Sequence, residues 1–93
     1  MARYVSLIRF TDQGAHDLKK SAARALTFDK AAEKAGVKVE TQLWTLGSCD
    51  GILILSGDEK KVLRCLAQLR ALGNVRTETL QAFDVKELKG LLG

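Results

Sequence analysis

Four apolar residues in a row, Ile52-Leu53-Ile54-Leu55, follow Asp50-Gly51 and precede Ser56-Gly57. Successive side chains of a strand point to opposite faces of its sheet, so this strand is apolar on both. A strand with one wet face alternates apolar and polar residues instead. The run therefore requires cover on two sides. The first extended segment, "RYVSLIRF" at residues 3–10, carries a similar pattern, with Val5 and Leu7 opposing Tyr4, Ile8 and Phe10.

The remaining segments supply one of the two covers. From Ala15 to Ala35 the apolar positions fall at Ala15, Leu18, Ala22, Ala25, Leu26, Phe28, Ala32 and Ala35. Those three- and four-residue steps predict an amphipathic helix, stopped by Gly36, whose missing Cβ tolerates a left-handed turn. Residues 37–46, "VKVETQLWTL", and 50–56, "DGILILS", read as strands joined tightly enough for a hairpin. The "SGDE" at 56–59 has capping-box spacing, with Ser56 as cap and Glu59 reaching back. The helix it opens shows Val62, Leu66, Leu69 and Leu72 on one face and ends at Gly73. Residues 74–83 read as a fourth strand, and Asp84 caps a short terminal helix edged by Val85, Leu88, Leu91 and Leu92.

The order is βαββαβ plus a C-terminal helix. Crossovers of one hand put both main helices on the same face of a four-stranded antiparallel sheet. The expected fold is thus α+β and ferredoxin-like. The two doubly apolar strands sit side by side at its centre, so the uncovered face forms a contiguous apolar patch, which monomers rarely expose. Pairing of two sheets face to face, as a homodimer or higher even oligomer, is the expected cover; a C-terminal helix folded back over the sheet is the alternative.

Ninety-three residues make a single domain, 1–93, with a thin core that gains from association. The balance of 46% apolar and 28% charged residues is that of a globular chain. No apolar run reaches the ~20 residues of a membrane span, and the opening "MARYVSLIRF" lacks the pattern of a secretory signal. A cytoplasmic location is expected, with Cys49 and Cys65 as free thiols, since their spacing fits neither zinc nor a redox pair.

Read in order, "YVSLIRFTDQGA", "AEKAGVKVETQLWTLGSCDGILILSGD" and "LGNVRTETLQAF" resemble the GYD-domain family over residues 4–83. The resemblance implies a dimeric α/β barrel and brings no assigned biochemical activity. The family's eponymous turn carries a tyrosine before the aspartate; here it reads Gly47-Ser48-Cys49-Asp50, with Cys49 in the tyrosine's place. A thiol is a poor replacement for a phenol as hydrogen-bond donor, so any chemistry resting on that tyrosine is absent.

The candidate ligand-binding residues are Arg9, Trp44, Asp50 and Glu78, amphipathic or charged groups on sheet strands or at the barrel mouth. Each also has a plain structural reading: Asp50 as a bond to turn amides, Arg9 or Arg76 with Glu78 as an ion pair. No catalytic residue, metal ligand or cofactor is indicated; His16 stands apart from any ligand cluster, and Asp12 and Asp17 answer a helix dipole. The "TDQGA" segment has one glycine, too few for a phosphate loop.

The expected function is a small homo-oligomeric binding or sensing module with a small-molecule pocket between paired sheets. The alternative is a small cofactor-independent oxygenase- or isomerase-like enzyme, an analogy of fold alone. Nucleic acid is not an expected partner despite a net charge of +4 and a pI near 9.3. RNA-binding domains of this topology stack bases on central-strand aromatics, and "DGILILS" has none.

Overall fold

The structure, a computed structural model, describes residues 2–93. The elements are β1 (Ala2–Phe10), α1 (Asp12–His16), a 3-10 turn (Leu18–Lys20), α2 (Ser21–Lys34), β2 (Lys38–Trp44), β3 (Gly51–Gly57), α3 (Glu59–Ala71), β4 (Val75–Ala82) and α4 (Val85–Leu92). The strands form one antiparallel sheet in the order β2-β3-β1-β4, with α2 and α3 on one face. This is the ferredoxin-like arrangement that the element order predicts. Gly36 and Gly73, at φ 81° and 83°, take the left-handed conformation that ends α2 and α3.

Direct pairing places Tyr4 opposite Leu55 on the helix side, and Val5 opposite Ile54 and Leu7 opposite Ile52 on the other. The helix-side residues close the core with Ala32, Val37, Leu53, Val62, Cys65 and Leu66; Leu55 and Val62 are fully buried. Burial of each such side chain contributes about 1.5–3 kcal/mol. On the open side Val5, Leu7, Ile52 and Ile54 stay only half-buried, and Leu43 and Leu80 extend the apolar patch to both edge strands, 56% and 49% exposed.

Three local features differ from the sequence expectation. The helix expected over 15–35 is broken into α1, the 3-10 turn and α2. Thr11 caps α1, its hydroxyl accepting from the Gly14 amide at 3.2 Å, and the helical path ends at Asp17, with φ −111° and ψ 46°. The cap of α3 is Asp58, whose carboxylate accepts from the Lys61 amide at 3.3 Å. Ser56 stays in β3 and donates to Glu40 at 2.8 Å, because the strand's ladder already claims its backbone. Lastly, the register of β2 shifts between Val39 and Thr41, a bulge at Glu40. Val39 pairs with Leu55 on the helix side, whereas Thr41 pairs with Ile54 on the open side. The bulge reverses the alternation, sending Gln42 and Trp44 to the helix side and Thr41 and Leu43 to the open one.

The C-terminal helix α4 carries the expected cap at Asp84 in a full capping box: the Glu87 amide donates to Asp84 at 2.8 Å, and the Asp84 amide to Glu87 at 3.0 Å. Arg3 of β1 reaches the same corner, 2.9 Å from Glu87. No residue of α4 is buried, and Val85, Leu88, Leu91 and Leu92 are exposed. The helix leaves the apolar sheet face bare.

The break after α1 lets Gly14 pack on the turn before β4. Thr11 donates its amide to the Asn74 carbonyl at 3.1 Å and its hydroxyl to that of Gly73 at 2.6 Å, and the Gln13 amide bonds Leu72 and Asn74. A Cβ on Gly14 would overlap the Asn74 carbonyl oxygen. Gly14→Ala is expected to cost about 2–3 kcal/mol in urea unfolding, as overpacking against fixed backbone does.

Candidate functional site

Alanine dominates the sheet-facing side of α2. Ala25 and Ala32 face the sheet with short side chains, and only Ser21 and Ala32 of α2 are buried. The large core residues all lie toward the Ala32 end. Toward the start of α2 the sheet is left partly uncovered, and Ile8 and Phe10 on the central strand remain half-buried. The result is a cleft of about 500 Å³ between α2, α3 and the sheet, walled mainly by apolar side chains. Its floor includes Ile8, Phe10 and Leu53; Phe28 comes from α2, Leu69 from α3 and Val75 from β4.

Trp44 stands at the mouth, 52% exposed, where the β2 bulge has turned it. Its indole N–H donates to the Ser21 hydroxyl at 2.8 Å, closing one corner between sheet and helix. Lys20 and Arg24 line the same end of the cleft. The Arg24 guanidinium donates to the Gly14 carbonyl at 3.2 Å and meets no carboxylate within ion-pair distance among the described residues.

Asp50 also lines this cleft, and it is structurally engaged. Its amide donates to the Ile8 carbonyl at 2.8 Å, its carbonyl accepts from the Thr45 amide at 3.0 Å, and its carboxylate accepts from the Phe10 amide at 2.8 Å. The side chain thus carries the β1–β3 ladder one step past the strand end. Cys49 beside it is half-buried, with its sulfur 3.5 Å from the Thr45 hydroxyl.

The four residues singled out from sequence are divided between two faces. Trp44 and Asp50 border the helix-side cleft. Arg9 and Glu78 lie on the open sheet face, 3.4 Å apart, with Arg9 also donating to the Ser48 carbonyl at 3.0 Å. An exposed pair of this kind contributes no more than about 1 kcal/mol. Sequence reasoning missed Lys20, Arg24, Phe10 and Phe28 as cleft residues; the available signal was the alanine-rich face of α2, which leaves room above a sheet. Two further ionisable groups are Cys65, buried in the cleft wall, and Asp29, half-buried on α2. Burial pushes the Cys65 thiol up, with Arg64 opposing, which keeps it protonated. Burial also raises Asp29, partly offset by the polar Gln42 side chain, and one of its carboxylate oxygens is buried without a partner among the described residues. No group of three potential metal ligands occurs among the described residues, and no helix among them is long and apolar enough to cross a membrane.

Two outcomes follow from these positions. Asp50→Ala is expected to lower stability by about 1.5–3 kcal/mol in denaturant titration, since it strands the Phe10 amide; Asp50→Asn keeps an acceptor there and loses less. Asp29 has a folded-state pKa above its unfolded value, so the folded protein binds that proton more tightly. Stability therefore falls as pH rises from the ordinary carboxylate range through the raised value. Asp29→Asn should remove this slope and raise the thermal midpoint at neutral pH, read from melts between about pH 4 and about pH 7.

Residues 4–92 match the GYD domain family. The chain is 32% identical over 90 residues to a Thermus thermophilus protein named glutamine synthetase and cystathionine beta-lyase binding protein, an alignment spanning 95% of each chain. No solved structure matches significantly.

Proposed function

The chain belongs to the GYD-domain family, and on that footing we propose that it is a homo-oligomeric binding module. Two copies pair through their open sheet faces, the assembly docks on metabolic enzymes, and the helix-side cleft holds a small molecule. One observation carries the pairing: the central strands present Val5, Leu7, Ile52 and Ile54 half-buried on a face that α4 leaves bare. Apolar surface of this kind is removed from water most economically by a copy of itself, and a standard interface buries about 1,600 Å² in total. The exposed edge of α4 and Phe83 adds further apolar surface to the assembly.

Docking on enzymes is supported by the name of the Thermus thermophilus relative. A binding role also suits the state of the cleft's reactive groups. The Asp50 carboxylate gives one oxygen to the Phe10 amide as a structural tie, and burial keeps the Cys65 thiol protonated, which disfavours thiolate chemistry. On this reading the small molecule occupies the cleft bounded by α2, α3 and the sheet within one chain, a different place from the space between paired sheets expected from the sequence. Free thiols at Cys49 and Cys65 suit the cytoplasm.

Sedimentation velocity tests both forms of association. The protein is expected to run as a dimer or higher even oligomer, and to co-sediment with glutamine synthetase or cystathionine beta-lyase from its own source organism. Ile54→Lys places a charge on the open face without touching the helix-side core, and should yield a folded monomer by circular dichroism. A monomeric parent protein overturns the pairing; an even oligomer that leaves both enzymes unshifted overturns the docking.

A further inference from the structure

We propose that the cleft binds an amphipathic anion, a medium-length hydrocarbon chain ending in a carboxylate. The hydrocarbon lies on Phe10, Phe28, Leu53 and Leu69, and the head group meets Lys20 and Arg24. This assignment rests on the reading of the cleft as a ligand site and names the class of molecule it takes.

Shape and lining point to the apolar half. A volume of about 500 Å³ falls within the range of small-molecule sites, ~300–1,000 Å³, and the walls are mainly apolar. A site of this size bordered by half-exposed phenylalanine rings gains free energy when hydrocarbon displaces water, at about 25 cal/mol per Å².

Charge points to the head group. The charged side chains that line the cleft are Lys20, Arg24 and Asp50. The Asp50 carboxylate keeps its charge but is pinned by the Phe10 amide at the end of β1, so the lining carries two cations against one anion. Lys20 meets only Asp17, at 3.9 Å, in an exposed pair that water screens, and Arg24 meets a backbone carbonyl. Four residues apart at the start of α2, they stand on one edge of the helix, where its positive dipole end adds to their field. The Ser21 hydroxyl is beside them; since it accepts from the Trp44 indole, its own proton is free to donate to an oxyanion. A weakly neutralised cationic pair at one end of an apolar cleft complements a carboxylate on a hydrocarbon better than it complements a neutral apolar molecule.

Trp44 is the chain's single tryptophan and stands at the mouth, so its fluorescence reports occupancy. The full chain would be titrated with decanoate and, separately, with decanol, both below self-association. Decanoate is expected to shift the Trp44 emission saturably and to bind at least tenfold more tightly than decanol. The double variant Lys20→Glu/Arg24→Glu, folded by circular dichroism, should lose that preference, the ratio of decanol to decanoate dissociation constants falling from at least about tenfold to about one or below. Ala25→Phe, which fills the cleft from α2, should weaken both. Equal affinity for the two probes, or an unaltered preference in the charge-reversed variant, overturns the anionic assignment and leaves a neutral-ligand site standing. Absence of any saturable shift overturns the cleft as a ligand site altogether, while sedimentation judges the sheet pairing separately. A shift that follows protein concentration with no probe present assigns the cleft to a second copy of the chain and likewise overturns the proposal.

Discussion

The pairing of β1 with β3 is the constraint from which the rest of the structure follows. Val5 against Ile54 and Leu7 against Ile52 set one face, and Tyr4 against Leu55 sets the other. Because side chains alternate strictly along a strand, a slip of one residue would exchange the two faces. The helix face would tolerate that poorly, since Leu55 and Leu53 are buried in the core with Val62 and Leu66. The register of the central pair is therefore held by packing on one side. The apolar patch on the other side is its consequence.

Asp50 extends the same logic to the hairpin turn. Its carboxylate on the Phe10 amide and its backbone bonds to Ile8 and Thr45 tie the β2–β3 turn to the end of β1. Asp50 thus has a mechanical role in this chain. Cys49, in the preceding position, lies with its sulfur 3.5 Å from the Thr45 hydroxyl. At the opposite corner of β1, Arg3 meets the capping box of α4, so that helix is tethered at its start while its apolar edge stays free. One strand anchors both the turn that borders the cleft and the helix that leaves the open face bare.

The cleft owes its existence to small residues and to a bulge, neither of which has a strong signature in one dimension. Alanines on α2 read as ordinary helix formers, since alanine has the highest intrinsic propensity whether or not it faces a core. Only with the sheet beneath them do they become a shortage of volume. Trp44 shows the same dependence. Simple alternation along β2 puts it with Lys38 and Glu40, and the register shift at Glu40 turns it toward Ser21 instead. Among the residues chosen from sequence, Arg9 and Glu78 meet as the strand pattern suggests, since both lie on open-face positions of neighbouring strands. Lys20 and Arg24 escaped notice because cations on a helix are usually solvated, and their position beside an apolar cavity depends on how α2 is seated.

The sequence by itself determined the order of the strands and main helices, the antiparallel sheet, the stops at Gly36 and Gly73, the cap at Asp84 and the apolar character of the second sheet face. Each of these rests on local physics: a period of two or of 3.6, a missing Cβ, or a side chain that bonds an amide three residues away. That α4 leaves this face bare was decided by the fold. The tertiary structure decided the break after α1, the shift of the α3 cap to Asp58, the bulge at Glu40 and the cleft. Those features answer to contacts between distant segments, such as Gly14 against Asn74 and Ser56 against Glu40. The free energy of such contacts depends on which backbone lies nearby, and a chain read in one dimension does not specify that.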